Sequence, residues 1–311
     1  MKNREERKPK ERSESGLPGG GAGRKDEVGR SGVYPMSGPH PPSDAEIRGQ
    51  ASWGQGERGA AGYEDHGSSE LSYEGGQVLG GSGADVRNRQ NLRVQVPAGG
   101  VTLEGDLNVP QEPRGVVLFA HGSGSSRHSP RNQHVAHVLQ EASIATLLLD
   151  LLTEDEESLD VETAQLRFDI GLLTKRLLDT THWLMQQPQI EDIKLGYFGA
   201  STGAAAALMA ASQASRDVGA VVCRGGRPDL AGSALSTVQA PTLLIVGAED
   251  STVLDLNRQA MSQLRCEKRL EIIPGATHLF EEPGALDEVA RLARQWFEWH
   301  LGRREDDIQA A

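Results

Sequence analysis

The stretch Leu195–Ala210, LGYFGASTGAAAALMA, passes from a short apolar run through two glycines into an alanine-rich segment. LGYFGA has the length and character of a strand, and TGAAAALMAASQA those of a helix. Ser201 stands at the junction, two residues after Gly199 and two before Gly203. A strand that turns straight into a helix needs small residues on both sides of the turn, so that the two backbones can approach. The chain holds 37 glycines, yet Gly-x-Ser-x-Gly occurs only here. A serine so placed lies at the carboxyl edge of a sheet, where open α/β sheets bind their ligands.

Outward from this junction, more apolar runs of strand length appear: VVLFA (116–120), ATLLLDLL (145–152), IKLGYFGA (193–200), VGAVVCR (218–224), TLLIVGA (242–248) and LEIIPGA (270–276). Near-continuous apolar strands are buried on both faces, which requires helices above and below. Leu166, Ile170, Leu173, Leu177 and Leu184 recur at helical spacing and predict one long helix from about Val161 to Gln187. Leu256, Ala260, Met261 and Leu264 predict a second helix, and Val289, Leu292, Trp296 and Phe297 a third. Before them, NLRVQVPAGGVTLEGDLNVP alternates apolar and polar residues around a Pro-Ala-Gly-Gly turn, the pattern of an antiparallel hairpin. The fold class is α/β: a three-layer sandwich on a mostly parallel sheet with an N-terminal antiparallel hairpin.

Composition divides the 311 residues unevenly. Residues 1–88 are rich in glycine and polar side chains, with almost no apolar run, and cannot bury enough surface to offset the entropy of ordering them. They read as a disordered tail, 89–303 as the folded domain and 304–311 as a flexible C-terminal tail. Tyr34, Trp53, Tyr63 and Tyr73 in the long tail could dock on a protein partner, although isolated aromatics in a polar tail more often do nothing specific. A net charge of −12 argues against a nucleic-acid partner. No stretch approaches the ~18 apolar residues of a membrane span, and no apolar segment follows the charged N-terminus, so a cytoplasmic protein without a membrane partner is expected. Cys223 and Cys266 are too few for a disulfide framework and are expected to be reduced.

The strand ends carry the chemistry. A serine hydroxyl is a weak nucleophile until a base takes its proton, and the base needs an acid to orient it. TLLIVGA runs into Glu249-Asp250, and LEIIPGA into Thr277-His278. Ser201, Asp250 and His278 therefore follow one another as nucleophile, acid and base, the chain order of a single fold's triad. Asp250 is the better acid because it lies at the loop tip, with Glu249 as the alternative. An oxyanion hole of backbone N–H groups would come from Thr202, next after the nucleophile, and from Ser123 in HGSGSSRHS, where Gly122 and Gly124 let the loop approach a substrate.

VLFAHGSGSSR, LGYFGASTGAAAAL, RGGRPDLA, APTLLIVGAEDSTV and PGATHLFEEPGAL together resemble an α/β-hydrolase of the dienelactone hydrolase family. The last four blocks are most similar to a bacterial branch often fused to a phosphoribosyltransferase domain. The resemblance spans about Gln90 to Leu301 and implies the α/β-hydrolase sandwich and an ester-cleaving triad. Dienelactone hydrolases proper carry cysteine where this chain has Ser201, which points to an ordinary ester. The tail has no phosphoribosyltransferase signature, so only the hydrolase half is expected in this chain.

Arg224 and Arg227 in CRGGRPDLA follow a strand and are candidates to hold an anionic group of the substrate, with pairing to Asp229 or to TEDEESLD (153–160) as the alternative. That acidic stretch reads as a solvated rim. His128, His134 and His137 lack a third ligand at metal-site spacing and read as surface residues, and His121 as a residue that shapes its loop. Trp183, Trp296 and Trp299 fit packed or half-exposed helix faces. The expectation is a serine hydrolase acting on a small carboxylic ester or thioester, with no cofactor and no metal. A non-catalytic binding or regulatory protein that keeps the fold, or an acyltransferase, are the alternatives.

Overall fold

The computed structural model describes residues 90–302. The tails at 1–88 and 304–311 lie outside the described residues. Eight strands form one sheet: β1 (Gln90–Ala98), β2 (Val101–Val109), β3 (Val116–Ala120), β4 (Ala145–Leu149), β5 (Leu195–Ala200), β6 (Val218–Arg224), β7 (Thr242–Gly247) and β8 (Lys268–Ile273). Their order across the sheet is β1-β2-β4-β3-β5-β6-β7-β8. β2 runs antiparallel to both of its neighbours, and the strands from β4 to β8 are mutually parallel. β1 therefore points the same way as the parallel strands, and β2 alone is reversed.

Among the described residues six α-helices cover the sheet: α1 (Pro130–Glu141), α2 (Glu154–Thr163), α3 (Ile170–Leu184), α4 (Thr202–Gln213), α5 (Ser251–Gln263) and α6 (Ala285–Leu301). Side chains alternate across the central strands. Leu118, Leu147, Tyr197, Val221 and Leu244 meet α3, α4 and α5 on one face. Val117, Phe119, Leu148, Phe198 and Val222 meet α1 and α6 on the other. The expected three layers are present, and the antiparallel hairpin turns at Gly99-Gly100, both at positive φ.

α4 is sheathed on all sides, with Ala204, Ala205, Ala206 and Ala207 fully buried. α3 is tied to β5 by a 2.6 Å bond between the Thr181 and Tyr197 hydroxyls. α6 ends at the amino edge of the sheet, where the Leu301 side chain lies 2.7 Å from the Cβ position of Gly115 and 3.0 Å from that of Gly219. Trp183 and Trp296 pack against the core clusters, whereas Trp299 is 57% exposed.

The single long helix expected from Val161 to Gln187 is instead two helices and a turn. Chain direction breaks at Ala164, in the left-handed region at φ 53°, and Leu166–Phe168 forms a 3-10 turn before Asp169 caps α3. The acidic stretch expected as a loop rim is α2. Its start is a capping box: Thr153 Oγ1 accepts the Glu156 N–H, and Glu156 returns a carboxylate oxygen to the Thr153 N–H. Four acidic residues in its first turn also suit the positive end of a helix.

Candidate active site

Ser201 joins β5 to α4 with φ 50° and ψ −122°, a backbone conformation that costs a non-glycine residue energy. Sterics around it explain the two flanking glycines. A Cβ on Gly199 would stand 2.5 Å from Ala204 Cα, and one on Gly203 would stand 2.2 Å from Ala120 O. Both positions exclude any side chain. The elbow is tied into the sheet by Ser201 N–H donating to Arg224 O at 3.3 Å and by Arg227 N–H donating to Ser201 O at 3.0 Å.

The loop after β3 lies directly over the elbow. The Cβ position of Gly122 is 2.8 Å from Ser201 Cβ and 3.6 Å from its Oγ, so only glycine lets the loop come this close. The Ser123 and Thr202 hydroxyls are 3.0 Å apart, which brings together the two residues expected to supply the oxyanion hole. Thr202 opens α4, and a first-turn N–H has no acceptor within its own helix.

His278 Nδ1 lies 2.6 Å from Asp250 Oδ2. Asp250 is the partner of the imidazole, whereas Glu249 is exposed beside it. The two loops that bring this pair together are stitched by backbone: Glu249 N–H donates to Ala276 O at 3.0 Å, and a Cβ on Gly247 would stand 2.2 Å from the same oxygen. Beyond the histidine, the Thr277 N–H and hydroxyl both donate to one Glu282 carboxylate oxygen, at 3.1 and 2.6 Å, and hold that carboxyl below its usual range. Gly225, at φ 50°, places its Cβ position 3.2 Å from His278 O and 3.5 Å from the ring carbon Cε1. It is the floor on which the histidine rests, a role that nothing in the sequence marks.

A second layer of contacts, also unmarked, fixes the loop after β3. The Arg127 N–H donates to Asp150 Oδ1 at 2.6 Å, and its guanidinium bonds both Asp150 and Glu104, the latter at 2.7 Å. His121 Nε2 accepts the Leu151 N–H at 3.0 Å, so the ring proton sits on Nδ1 and is donated to Gly122 O at 2.9 Å. Burial, partly offset by these contacts and by Asp150, lowers its pKa below 6.5 and keeps the ring neutral. His121 thus clamps the ends of β3 and β4, as expected of a loop-shaping residue.

The two arginines at the end of β6 and just beyond it part company. Arg227 is taken up by Asp229 in a forked pair at 2.9 and 2.8 Å. Arg224 is buried, and among the described residues its one side-chain partner is Asn132 Oδ1 at 3.4 Å. His134 pairs with Asp287 and His137 with Glu141. Among the described residues no group of three His, Cys, Asp or Glu side chains could hold a metal ion, and no helix is long and apolar enough to cross a membrane. Cys223 and Cys266 are free thiols, and burial pushes that of Cys223 up.

Comparison with known proteins agrees with this fold. The model of the dienelactone hydrolase family matches residues 107–299. A dienelactone hydrolase from Anabaena variabilis is 58% identical, with a TM-score of 0.67 over 68% of this chain and 99% of that one. Est1E from Butyrivibrio proteoclasticus shares the fold, with a TM-score of 0.57 at 15% identity over 67% of this chain and 98% of its own. Two Mycobacterium tuberculosis proteins, from strains CDC 1551 and H37Rv, that bear the name phosphoribosyl transferase are 57% identical over 208 residues. The match takes in 67% of this chain and 46% of each of theirs, so the chain spans about half the length of these relatives.

Proposed function

The chain belongs to the dienelactone hydrolase family, and from that premise we propose that it is a serine hydrolase cleaving a small carboxylic ester or thioester. Ser201 Oγ attacks the carbonyl carbon. His278 takes the serine proton and returns it to the leaving oxygen or sulfur, while Asp250 holds the imidazole tautomer through Nδ1. The Thr202 and Ser123 N–H groups receive the charge that develops on the carbonyl oxygen. Water, activated by the same histidine, then releases the acyl group from Ser201.

What supports this reading is the 2.6 Å Asp250–His278 bond, together with a serine held in a strained elbow at the same carboxyl edge of the sheet. Strain of this kind is kept where function needs it. The test is fluorophosphonate labelling with peptide mapping, together with turnover of short-chain p-nitrophenyl esters, on wild type and Ser201→Ala. We expect label on Ser201 and a loss of turnover of about 10³-fold or more in the variant. A folded wild type that neither labels nor turns over would make this a binding protein. Acyl transfer to an added alcohol in preference to water would make it an acyltransferase.

A further inference from the structure

One buried cation beside the elbow has no part in the chemistry just described. Arg224 closes β6, and alternation with Ala220 and Val222 puts its side chain on the face covered by α1 and α6. It is 9% exposed, yet among the described residues its buried Nη1 has no hydrogen-bond partner and its Nη2 reaches only Asn132 of α1. Among the described residues no carboxylate forms an ion pair with it. The charge that acts on it is of the same sign: Arg131, whose own partner, Glu281 at 3.6 Å, is 67% exposed. Burial, and then the Arg131 charge, draws the Arg224 pKa down to about 10, which still leaves it protonated at neutral pH.

A desolvated guanidinium with an unused donor weakens a fold unless something else satisfies it. Its surroundings suit an anion. Arg131 and Asn132 belong to the first turn of α1, which begins with Pro130 and carries the positive end of the helix dipole, with the Asn132 N–H already capped by Ser129 Oγ. Among the described residues these two guanidiniums and the helix start share one paired carboxylate, Glu281, an excess of positive charge that matches a dianion better than a monoanion. Arg227, by contrast, is satisfied by Asp229 and offers nothing. The location is also apt, because Arg224 O accepts the Ser201 N–H and the next residue, Gly225, supports the His278 ring.

We propose that Arg224, Arg131 and the first turn of α1 form a subsite for a phosphate dianion, and that the ester attacked by Ser201 carries a phosphate group. The ester part rests on the serine-hydrolase reading, whereas the subsite stands without it. The phosphate is a handle and stays intact. Only the acyl carbon–oxygen bond breaks, the Ser201 Oγ–acyl bond forms, and the serine proton passes through His278 to the leaving alcohol.

Binding is measured first, without turnover, by calorimetric titration of the full-length Ser201→Ala protein with inorganic phosphate and, separately, with succinate. Saturable phosphate binding is expected, weakened on the order of tenfold to a hundredfold when Arg224→Met is added, as suits loss of a charge-assisted bond. No saturable binding, or binding indifferent to Arg224→Met, overturns the subsite. Succinate binding as tight as phosphate overturns the phosphate assignment in favour of a carboxylate. Should circular dichroism show Arg224→Met unfolded, Arg224→Lys takes its place; it keeps the charge without the fork, and a smaller loss in the same direction is expected.

Wild type is then compared on 2-acetoxyethyl phosphate and 2-acetoxyethanol by acetate release. A kcat/KM ratio of about tenfold or more in favour of the phosphate, collapsing in the Arg224 variant, is expected. Equal rates overturn the link between subsite and substrate. The two readings fail differently: loss of the hydrolase reading shows as no Ser201 label with phosphate binding retained, and loss of the subsite as label and turnover without phosphate binding.

Discussion

Gly225 shows how much of a site can depend on an atom that is absent. Replacing it with alanine asks an L-residue to hold φ 50°, at a cost of about 1–2 kcal/mol, and sets a methyl group against the carbonyl and ring of His278. We expect Gly225→Ala to fold with a lower Tm and to lose up to about 10²-fold in kcat, as displaced catalytic groups do. Unchanged kcat with p-nitrophenyl esters would show that the ring does not need this floor. The same residue marks where reading the sequence stops. Gly199, Ser201 and Gly203 are legible because their spacing is local and repeats the geometry of the turn. Asp250 and His278 are legible because each ends an apolar run. Gly225 answers to a histidine more than fifty positions later in the chain, and Arg127 to Asp150 and Glu104, so neither leaves a local pattern.

Among the elements, α2 was hidden for a different reason. Its residues EDEESLDVET have no apolar stripe, with only Asp160 buried, so periodicity gives no signal, although the capping box Thr153-x-x-Glu156 stands in the sequence. Leu166 fell in with the stripe of α3 by spacing alone. Asp160 is the reason the chain turns there, since its carboxylate accepts the N–H groups of Leu166, at 2.6 Å, and Arg167, at 3.2 Å, and binds the Arg167 guanidinium. Without packing to hold its ends, α2 relies on its cap. Thr153→Ala is expected to cost about 1 kcal/mol and to lower Tm by about 2–4 °C, while p-nitrophenyl ester kinetics stay within about twofold of wild type. A melt that matches wild type would mean that Glu156, through its bond to Arg176, holds the helix start alone.

Across the whole molecule, the fold class follows from the order of apolar runs and their lengths, and the reversed β2 from the Pro-Ala-Gly-Gly turn. Stability as a function of pH is a property at this scale, and His121 contributes to it with a definite sign. Its folded pKa lies below 6.5, so between the two values the unfolded chain binds the extra proton. The stability due to the neutral ring is complete above about pH 6.5 and is lost as the pH falls from there, at about 1.4 kcal/mol per unit of pKa separation. Wild-type Tm should therefore fall more steeply from pH 7 to pH 5 than that of His121→Gln, which begins about 1–3 kcal/mol lower from the loss of the paired hydrogen bonds. Parallel pH profiles for the two proteins would assign the slope to other groups.

The direction of the strands also decides how this domain can be carried by a longer polypeptide. β1 begins at Gln90, paired with Val109 and close to the start of β4, and α6 finishes with Leu301 against Gly115 and Gly219, just ahead of β3 and within the start of β6. Both ports thus open on the underside of the sheet, the edge opposite the one where Ser201, Asp250 and His278 stand. A tether leaving from either port starts at the edge away from Ser201, so the domain can be spliced to a neighbour on either side without threading a linker past that serine.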